Sequence, residues 1–348
     1  MTEPAETWPP VSVIIATRNE APFIERNVRS VLANDYPADK IEVLVVDGMS
    51  EDGTADIVRS LREEDSRVRL VENPRRIAPV AFNLGIENST GEVLFFVSGH
   101  GAVSENFLRK SIETFRAQPE AWCVGGAIET INENFIGRAI SGAMSSPVGV
   151  GNARFRLGNF KGWVDTVTAA GYWRWVFDKI GMFDEELVRH QDDELNLRLI
   201  LNGGKIYMDS DIKSYYYSRG SLRKLIKQYW QYGIWRPRTI QKHNRPATLR
   251  QIAPMIFALI WVVLVAGTLI WHPIGWALGA FAAMYVLGLL AGGLDVARRA
   301  GLACGLLAPI VFMILHFCYG FGGLVGIVIF WVLRRGGKMK VEQVSISR

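Results

Sequence analysis

The last hundred residues set the hardest constraint on this chain. From Ile252 onward the sequence is mostly apolar, rich in glycine and nearly free of acids. A water-soluble core does not need apolar runs of that length, whereas a bilayer, which takes about 20 residues of helix to cross, does. Ile252 to Trp271 and Ile274 to Leu294 each have the length of a span. A minimal turn at His272-Pro273 joins them, and Arg298 and Arg299 follow the second. Leu302 to Leu333 is harder to read. As one helix it is about 48 Å long, too long to sit untilted, and as two spans it is too short. His316-Phe317-Cys318-Tyr319-Gly320-Phe321-Gly322-Gly323 interrupts it. The basic tail at Arg334, Arg335, Lys338 and Lys340 favours a cytoplasmic C-terminus, hence a re-entrant or broken hairpin, with a single third span as the other reading.

Just ahead of these runs, basic residues crowd between Arg219 and Arg250. Leu222, Leu225, Ile226, Tyr229 and Gly233 share one helical face, and Arg223, Lys224, Lys227 and Gln231 fall on the other. With Trp230, Tyr232 and Trp235, the stretch reads as an amphipathic helix lying at a lipid surface; packing on the preceding domain is the alternative. A basic, aromatic strip also suits nucleic acid, but the apolar runs that follow make anionic headgroups the simpler partner. No nucleic-acid partner is therefore expected. Glu3, Pro4, Glu6, Pro9 and Pro10 lack the basic-then-apolar pattern of a cleaved signal peptide. The three cysteines outline neither a disulfide framework nor metal-ligand spacing, which suits a domain facing the cytoplasm.

The first 218 residues alternate short apolar runs with amphipathic ones. Val11 to Ala16, Ile41 to Val46, Val68 to Val71 and Glu92 to Val97 read as buried strands. Pro22 to Leu32, Thr54 to Arg62, Val80 to Glu87 and Glu105 to Arg116 read as the helices between them. That repetition predicts a doubly wound α/β domain with a mostly parallel sheet. Ligands of such sheets bind past the carboxyl ends of the strands. Four segments then line one crevice: Thr17 to Glu20, Asp47 to Thr54, Glu72 to Arg76 and Ser98 to Gly101.

A nucleotide suits that crevice. Asp47 can accept from a pyrimidine imide N–H, Glu20 can hold a ribose hydroxyl, and Arg75 or Arg76 can meet a diphosphate. Taken singly, Asp47-Gly48 and Asp52-Gly53 are ordinary turn residues; their coincidence at successive strand ends favours the nucleotide. No Gly-x-Gly-x-x-Gly follows the first strand and no Walker-type Gly-Lys-Ser/Thr is present, which disfavours a dinucleotide or ATP. Further on, Gln191-Asp192-Asp193-Glu194-Leu195-Asn196 opens an apparent helix, where the helix dipole favours negative charge. Three consecutive carboxylates there also supply what is needed to take a proton from a sugar hydroxyl. Helix capping and solvation are the plain alternative. Between Gly126 and Gly171 the chain is Gly- and Ser-rich and reads as a long functional loop, with Trp163 a candidate for stacking on an acceptor sugar.

These stretches resemble glycosyltransferase family 2, the inverting enzymes of the GT-A fold, and within it the succinoglycan-biosynthesis glucosyltransferase-like group. The resemblance is carried by Val13 to Glu20, Val46 to Thr54, Ala81 to Ile86, Gly181 to Glu185, Gln191 to Arg198 and Tyr232 to Arg236. It implies a GT-A catalytic domain over residues 1–218, interfacial helices over 219–250 and a transmembrane region over 251–348. It puts a UDP-sugar on Thr17, Glu20, Asp47 and Arg76, with Asn83, Ser98 and His100 also on the nucleotide-sugar side. It makes Asp192 the catalytic base, with Gln191, Asp193 and Glu194 positioning donor or acceptor hydroxyls. One departure matters. Where the family carries Asp-x-Asp to grip a divalent cation (Mg or Mn), this chain reads Ser98-Gly99-His100. A neutral imidazole still ligates manganese and Ser98 can act through water; a protonated His100 can itself offset diphosphate charge; or the chain is a non-catalytic relative.

The function the resemblance implies is hexose transfer from a nucleotide-diphosphate sugar to a lipid-linked saccharide, at the cytoplasmic face of a bacterial inner membrane. The absence of Gln-x-x-Arg-Trp, which processive synthases of the family carry, favours a single addition. A non-catalytic subunit and a polyprenyl-phosphate glycosyltransferase are the alternatives.

Overall fold

A computed structural model of the protein describes residues 7–132, 134–151, 154–218 and 220–335. The N-terminal Glu3, Pro4 and Glu6, Arg219, and the tail with Lys338 and Lys340 lie outside the described residues. The chain divides into two compact units, one of residues 1–130 with 158–217, the other of residues 131–157 with 218–348.

In the first unit the apolar runs become strands: β1 (Val11–Thr17), β2 (Ile41–Asp47), β3 (Val68–Glu72), β4 (Val93–Ser98), β5 (Gly101–Val103), β6 (Ala121–Asn132), β7 (Lys161–Val164), β8 (Thr168–Trp173) and β9 (Lys205–Ser218). They form one sheet ordered β3-β2-β1-β4-β8-β6-β9-β5, with β7 on β9. β1 pairs in parallel with β2 and β4, and β2 with β3. Every residue of β1 is buried, as a strand covered on both faces must be. The helices α1 (Ala21–Leu32), α2 (Thr54–Glu64), α3 (Ala78–Asn88) and α4 (Phe107–Ala117) connect them. In α1 the buried set Phe23, Ile24, Asn27, Val28 and Val31 follows the helical period, and proline sits in its first turn.

Beyond β4 the sheet changes character. β8 pairs antiparallel with β4 and β6, and β9 antiparallel with β5 and β7, so the parallel part is four strands wide. The expected doubly wound half is present, and the mixed half is an addition to it. Its physical reason lies in β9, where Ile206, Met208, Ser210, Ile212 and Ser214 are buried and the residues between them are not. That period of two marks a strand with one wet face, which parallel pairing disfavours. Two further helices, α8 (Arg174–Ile180) and α9 (Gln191–Leu201), complete this unit.

The second unit is helical: α5 (Phe135–Met144), the short turns α6 (Pro147–Val150) and α7 (Arg154–Leu157), α10 (Leu222–His243), α11 (Ala253–Ile270), α12 (Ile274–Ala300), α13 (Leu302–Met313) and α14 (Tyr319–Ile327). The segment expected to be a loop therefore carries a helix. Ala139, Ile140 and Ala143 of α5 share a core with Leu289, Val296, Ala308 and Phe312. Asp295 accepts from Ser146 Oγ at 3.1 Å and from Arg299, whose guanidinium also donates to the Ser145 carbonyl at 2.8 Å. Residues 131–157 thus cluster with residues 218–348 rather than with the sheet-bearing unit.

Among the described residues three helices are long and apolar enough to cross a membrane: Ala253–Ile270, Ile274–Ala300 and Leu302–Val332. The last is continuous through 31 residues, about 47 Å. Its π-turns at Ile314–Cys318 and Val328–Val332 replace the break that a re-entrant hairpin needs. The hairpin reading is overturned in favour of the single helix. Its glycines are close-approach seats rather than breakers. A Cβ on Gly322 would lie 2.6 Å from the Trp230 carbonyl oxygen, and one on Gly326 2.3 Å from that of Ile234. So α10 packs along this helix, burying Gln231, Gly233, Trp235 and Arg236 and leaving Ile226 and Trp230 exposed. Of the expected apolar face, Leu225 and Gly233 are buried and Leu222 and Tyr229 pack against the core, while Ile226 is exposed; the small residue at Gly233 admits the neighbouring backbone.

A Cβ at Gly233 would lie 2.3 Å from the Tyr319 carbonyl oxygen. Gly233→Val should therefore cost about 1–3 kcal/mol and lower the unfolding midpoint of the detergent-solubilised protein. Gly279→Ala, where a Cβ meets nothing within 4 Å, should not lower it.

Candidate active site

Register brings the strand ends into one row. Thr17 lies opposite Asp47, Ala16 opposite Ser98, and Asp47 opposite Glu72. Neighbouring strands are about 4.8 Å apart, so the expected segments do gather along one edge. The loops that follow are tied together. Gly48 N–H donates to the Thr17 carbonyl at 2.8 Å and Asn73 N–H to that of Asp47 at 2.8 Å. Asn19 N–H donates to Ser50 Oγ at 2.8 Å, while Asn19 Oδ1 accepts from Glu51 N–H at 2.9 Å. Asn19, Met49 and Arg76 take left-handed φ values of 54°, 57° and 60°. Strained residues of this kind concentrate at functional loops. Gly99 is required for close approach, since a Cβ there would lie 2.6 Å from Thr17 Oγ1.

Within this row, Asp47 is buried and accepts from Ser50 N–H at 2.9 Å and from the Ser50 hydroxyl. Each carboxylate oxygen keeps a second lone pair for another donor. Thr17 Oγ1 is buried without a hydrogen-bond partner. Such an atom costs about 1–3 kcal/mol unless a partner arrives. Glu20 is buried, and its Oε1 meets His100 Nδ1 at 3.1 Å, so the ribose contact expected of Glu20 competes with this pairing. The His100 ring rests edge-on against Tyr216 at 4.7 Å, and its carbonyl accepts from Tyr217 N–H at 3.2 Å. Asp52, nearby, is subject to burial that raises its pKa. The Thr54 hydroxyl and the N–H groups of Ala21 and Thr54 outweigh that and hold its carboxyl below the ordinary range.

The same residues bear on a divalent cation. Among the described residues no three His, Cys, Asp or Glu side chains assemble a metal site. Ser98 offers a hydroxyl where an acid was expected, and His100 has one ring nitrogen committed to Glu20. Pairing of one ring nitrogen with a carboxylate is the usual arrangement of a metal-bound histidine, so His100 Nε2 and the Ser98 hydroxyl are the donors that would meet a divalent cation carried in by a diphosphate.

The acidic cluster forms the first turn of α9. Asn196 Oδ1 accepts from the Tyr172 hydroxyl at 2.7 Å, and its amide donates to Thr166 Oγ1 at 3.0 Å. At the other end of α9, Leu199 and Trp122 crowd the space around Gly204. Trp122 adjoins Cys123, which is paired with Tyr172 toward the start of β4, whereas Thr166 leads into β8 on the side where β4 ends. The helix therefore runs so that Asp192 lies toward the edge that carries Thr17, Asp47 and Ser98. Burial, then the Cys123 thiol and the charges of Asp192 and Asp193, push the Tyr172 hydroxyl well above its ordinary pKa, keeping it a donor to Asn196.

The carboxylates divide by environment. Asp192 is exposed and Gln191 is half-buried. Asp193 is half-buried, with Oδ2 3.4 Å from His190 Nδ1. Glu194 is buried and paired with Arg198 at 2.8 Å. Arg198 also donates to the Ile180 carbonyl at 2.5 Å and that of Met182 at 2.8 Å, clamping the turn ahead of α9. Glu194 is thereby held in a packing contact with Arg198. Asn83 is likewise engaged in packing contacts. Its amide donates to the Phe183 carbonyl and to Glu185 Oε1, both at 3.0 Å, and its oxygen accepts from Phe183 N–H at 2.9 Å. Those bonds fasten the 183–185 segment and leave little for a nucleotide. Arg75 is paired with Glu185, and Arg76 stands exposed beside it.

Trp163 is not brought to this edge. It lies on β7 opposite Tyr207, with the two rings 5.1 Å apart and Lys205 Nζ 5.2 Å from the indole. Tyr207 and Tyr216 are nine residues apart on β9, about 30 Å, and Tyr216 is the one beside His100. Cross-strand packing accounts for the indole without a sugar.

Truncating Glu194 to Ala should cost about 1–3 kcal/mol of stability by leaving the Arg198 guanidinium short of its carboxylate. Asp192→Ala should leave the unfolding midpoint near that of the parent, so thermal denaturation of the two variants separates the roles.

Residues 12–181 match the family profile of glycosyl transferase family 2. The chain is 31% identical over 239 residues to dolichyl N-acetyl-alpha-D-glucosaminyl phosphate 3-beta-D-2,3-diacetamido-2,3-dideoxy-beta-D-glucuronosyltransferase of Methanococcus voltae, covering 67% of this chain and 74% of the relative. It is 30% identical over 250 residues to succinoglycan biosynthesis protein ExoA of Rhizobium meliloti (strain 1021), covering 71% and 75%. Among solved structures, mannosyltransferase PcManGT from Pyrobaculum calidifontis, in complex with GDP-Man and Mn2+, aligns with a TM-score of 0.56 at 20% identity. That alignment covers 95% of this chain and 91% of the other, a likeness of fold. With the strand-end row, the acidic start of α9 and these relatives together, the chain belongs to glycosyl transferase family 2 and is a glycosyltransferase of GT-A-like fold.

Proposed function

We propose that the protein is an inverting hexosyltransferase that moves a sugar from a UDP-linked donor to a polyprenyl-diphosphate-linked saccharide, at the cytoplasmic face of a bacterial inner membrane. The carrying observation is the exposed Asp192 in the first turn of a helix directed toward the ends of β1, β2 and β4. The names of two relatives support the acceptor class, one acting on a dolichyl-linked sugar phosphate and the other serving succinoglycan biosynthesis. Three apolar helices support membrane association.

In this reading Asp192 takes the proton from the attacking hydroxyl. That oxygen forms its bond to the anomeric carbon as the bond to the diphosphate oxygen breaks, and the diphosphate leaves with the electron pair. Attack opposite the leaving group inverts the anomeric centre. Thr17 and Asp47 hold the nucleoside by hydrogen bonds, while Arg76, Ser98 and His100 serve the diphosphate. The Glu20 carboxylate fixes the orientation of the His100 ring.

Asp192→Asn should lower transfer about 10²- to 10⁴-fold while nucleotide-sugar affinity stays within a few-fold. The assay is radiolabelled UDP-sugar incubated with membranes, with lipid-bound product counted. Full turnover by this variant would refute the assignment.

A further inference from the structure

The second unit contains a cleft that the transfer chemistry does not use. Pro237 and Ile240 of α10, Met255 and Leu259 of α11, and Ile327 and Trp331 of the long third helix are among its walls, and it encloses about 540 Å³ including its mouth. Its exposed lining is wholly apolar. The polar groups around it are turned to one another. Pro237 has no N–H to offer, its carbonyl lies 3.4 Å from the Trp331 indole nitrogen, and the Gln241 amide donates to the Phe330 carbonyl at 3.1 Å. A concave slot with hydrocarbon walls takes a hydrocarbon occupant.

The chain around the slot is cationic. Arg238 follows Pro237, Lys242 and His243 follow Ile240 within one helical turn, and Arg250 precedes Ile252. No Asp or Glu occurs between Asp211 and Asp295. An apolar slot flanked by basic residues complements a molecule with a hydrocarbon chain and an anionic phosphate head. We propose that this cleft seats the phosphate-proximal isoprenoid units of a polyprenyl carrier lipid, with residues 238–250 facing its phosphate. This deepens the reading above and rests on its lipid-linked acceptor. A carrier held by its tail presents its glycan from a fixed point, which raises the effective concentration of the attacking hydroxyl.

The decisive experiment does not need turnover. The full chain in lipid nanodiscs is irradiated with a polyprenyl phosphate bearing a diazirine on its first isoprene units, without nucleotide sugar, and labelled peptides are mapped. Label on the segment containing Met255 and Leu259 or on that containing Ile327 and Trp331 is expected, displaced by unlabelled polyprenyl phosphate and not by phosphatidylcholine. Label that phosphatidylcholine displaces equally, or that maps to other helices, overturns the proposal and leaves the cleft a bulk-lipid contact. In a second arm, Leu259→Trp fills the slot and Leu259→Ala enlarges it, each checked by its unfolding midpoint. Filling should raise the KM for a long-chain acceptor about tenfold, a loss of about 1.4 kcal/mol, and leave a short-chain analogue unchanged. Equal effects on both acceptors would contradict the assignment. Absence of any sugar transfer by the parent protein would sink the functional reading while the labelling still decides the cleft.

Discussion

Parallel pairing of β1 with β2 and β4 is the constraint on which the candidate site depends. Because the three strands run in the same direction and in register, their last residues are Thr17, Asp47 and Ser98, side by side along one edge. A buried sheet edge of that kind must satisfy its backbone groups in the loops beyond it. Here the loops do so by bonding to one another through Asn19, Ser50 and Asn73, and the left-handed turns at Asn19 and Met49 follow from that. The outcome is a fixed frame with one unpaired hydroxyl, Thr17 Oγ1, and one carboxylate with lone pairs to spare, Asp47.

The helix that carries the acids is held by means that do not involve those acids' chemistry. Asn196, one turn after Asp192, is locked between Tyr172 and Thr166, and Arg198 bridges Glu194 to the turn preceding the helix. Adjacent carboxylates in one sequence cluster thereby acquire different work. Glu194 is paired with Arg198 inside the fold, Asp193 faces His190 from a half-buried position, and Asp192 is exposed. Burial and partnering, rather than residue type, separate them.

Much of this was legible in the sequence. β1, β2 and β4 are buried on both faces and read as near-continuous apolar runs, so their bounds came within a residue or two: β1 ends at Thr17 where Ala16 was expected, and β2 at Asp47 where Val46 was expected. What was not legible depends on long-range pairing. The alternation in β9 is visible once sought, but its partners are scattered along the chain, β7 about forty residues away, β6 some ninety and β5 further still. Asn83 sits in a family motif, yet its amide is spent on Phe183, a contact across a hundred residues. Gly320, Gly322 and Gly323 read as helix breakers because glycine disfavours isolated helices, whereas here the first two admit neighbouring backbones and the third the Met255 side chain to a continuous one. The stretch between Gly126 and Gly171 read as a loop for the same reason, yet α5 lies within it, since Gly and Ser also make tight helix contacts.

The most direct test of the central claim is an experimental structure of the protein with a non-hydrolysable UDP-sugar bound. The account predicts the nucleoside between Thr17 and Asp47, the diphosphate beside His100, and the anomeric carbon on the side facing Asp192. A nucleotide bound elsewhere on the sheet, or a sugar ring facing away from the first turn of α9, would contradict it.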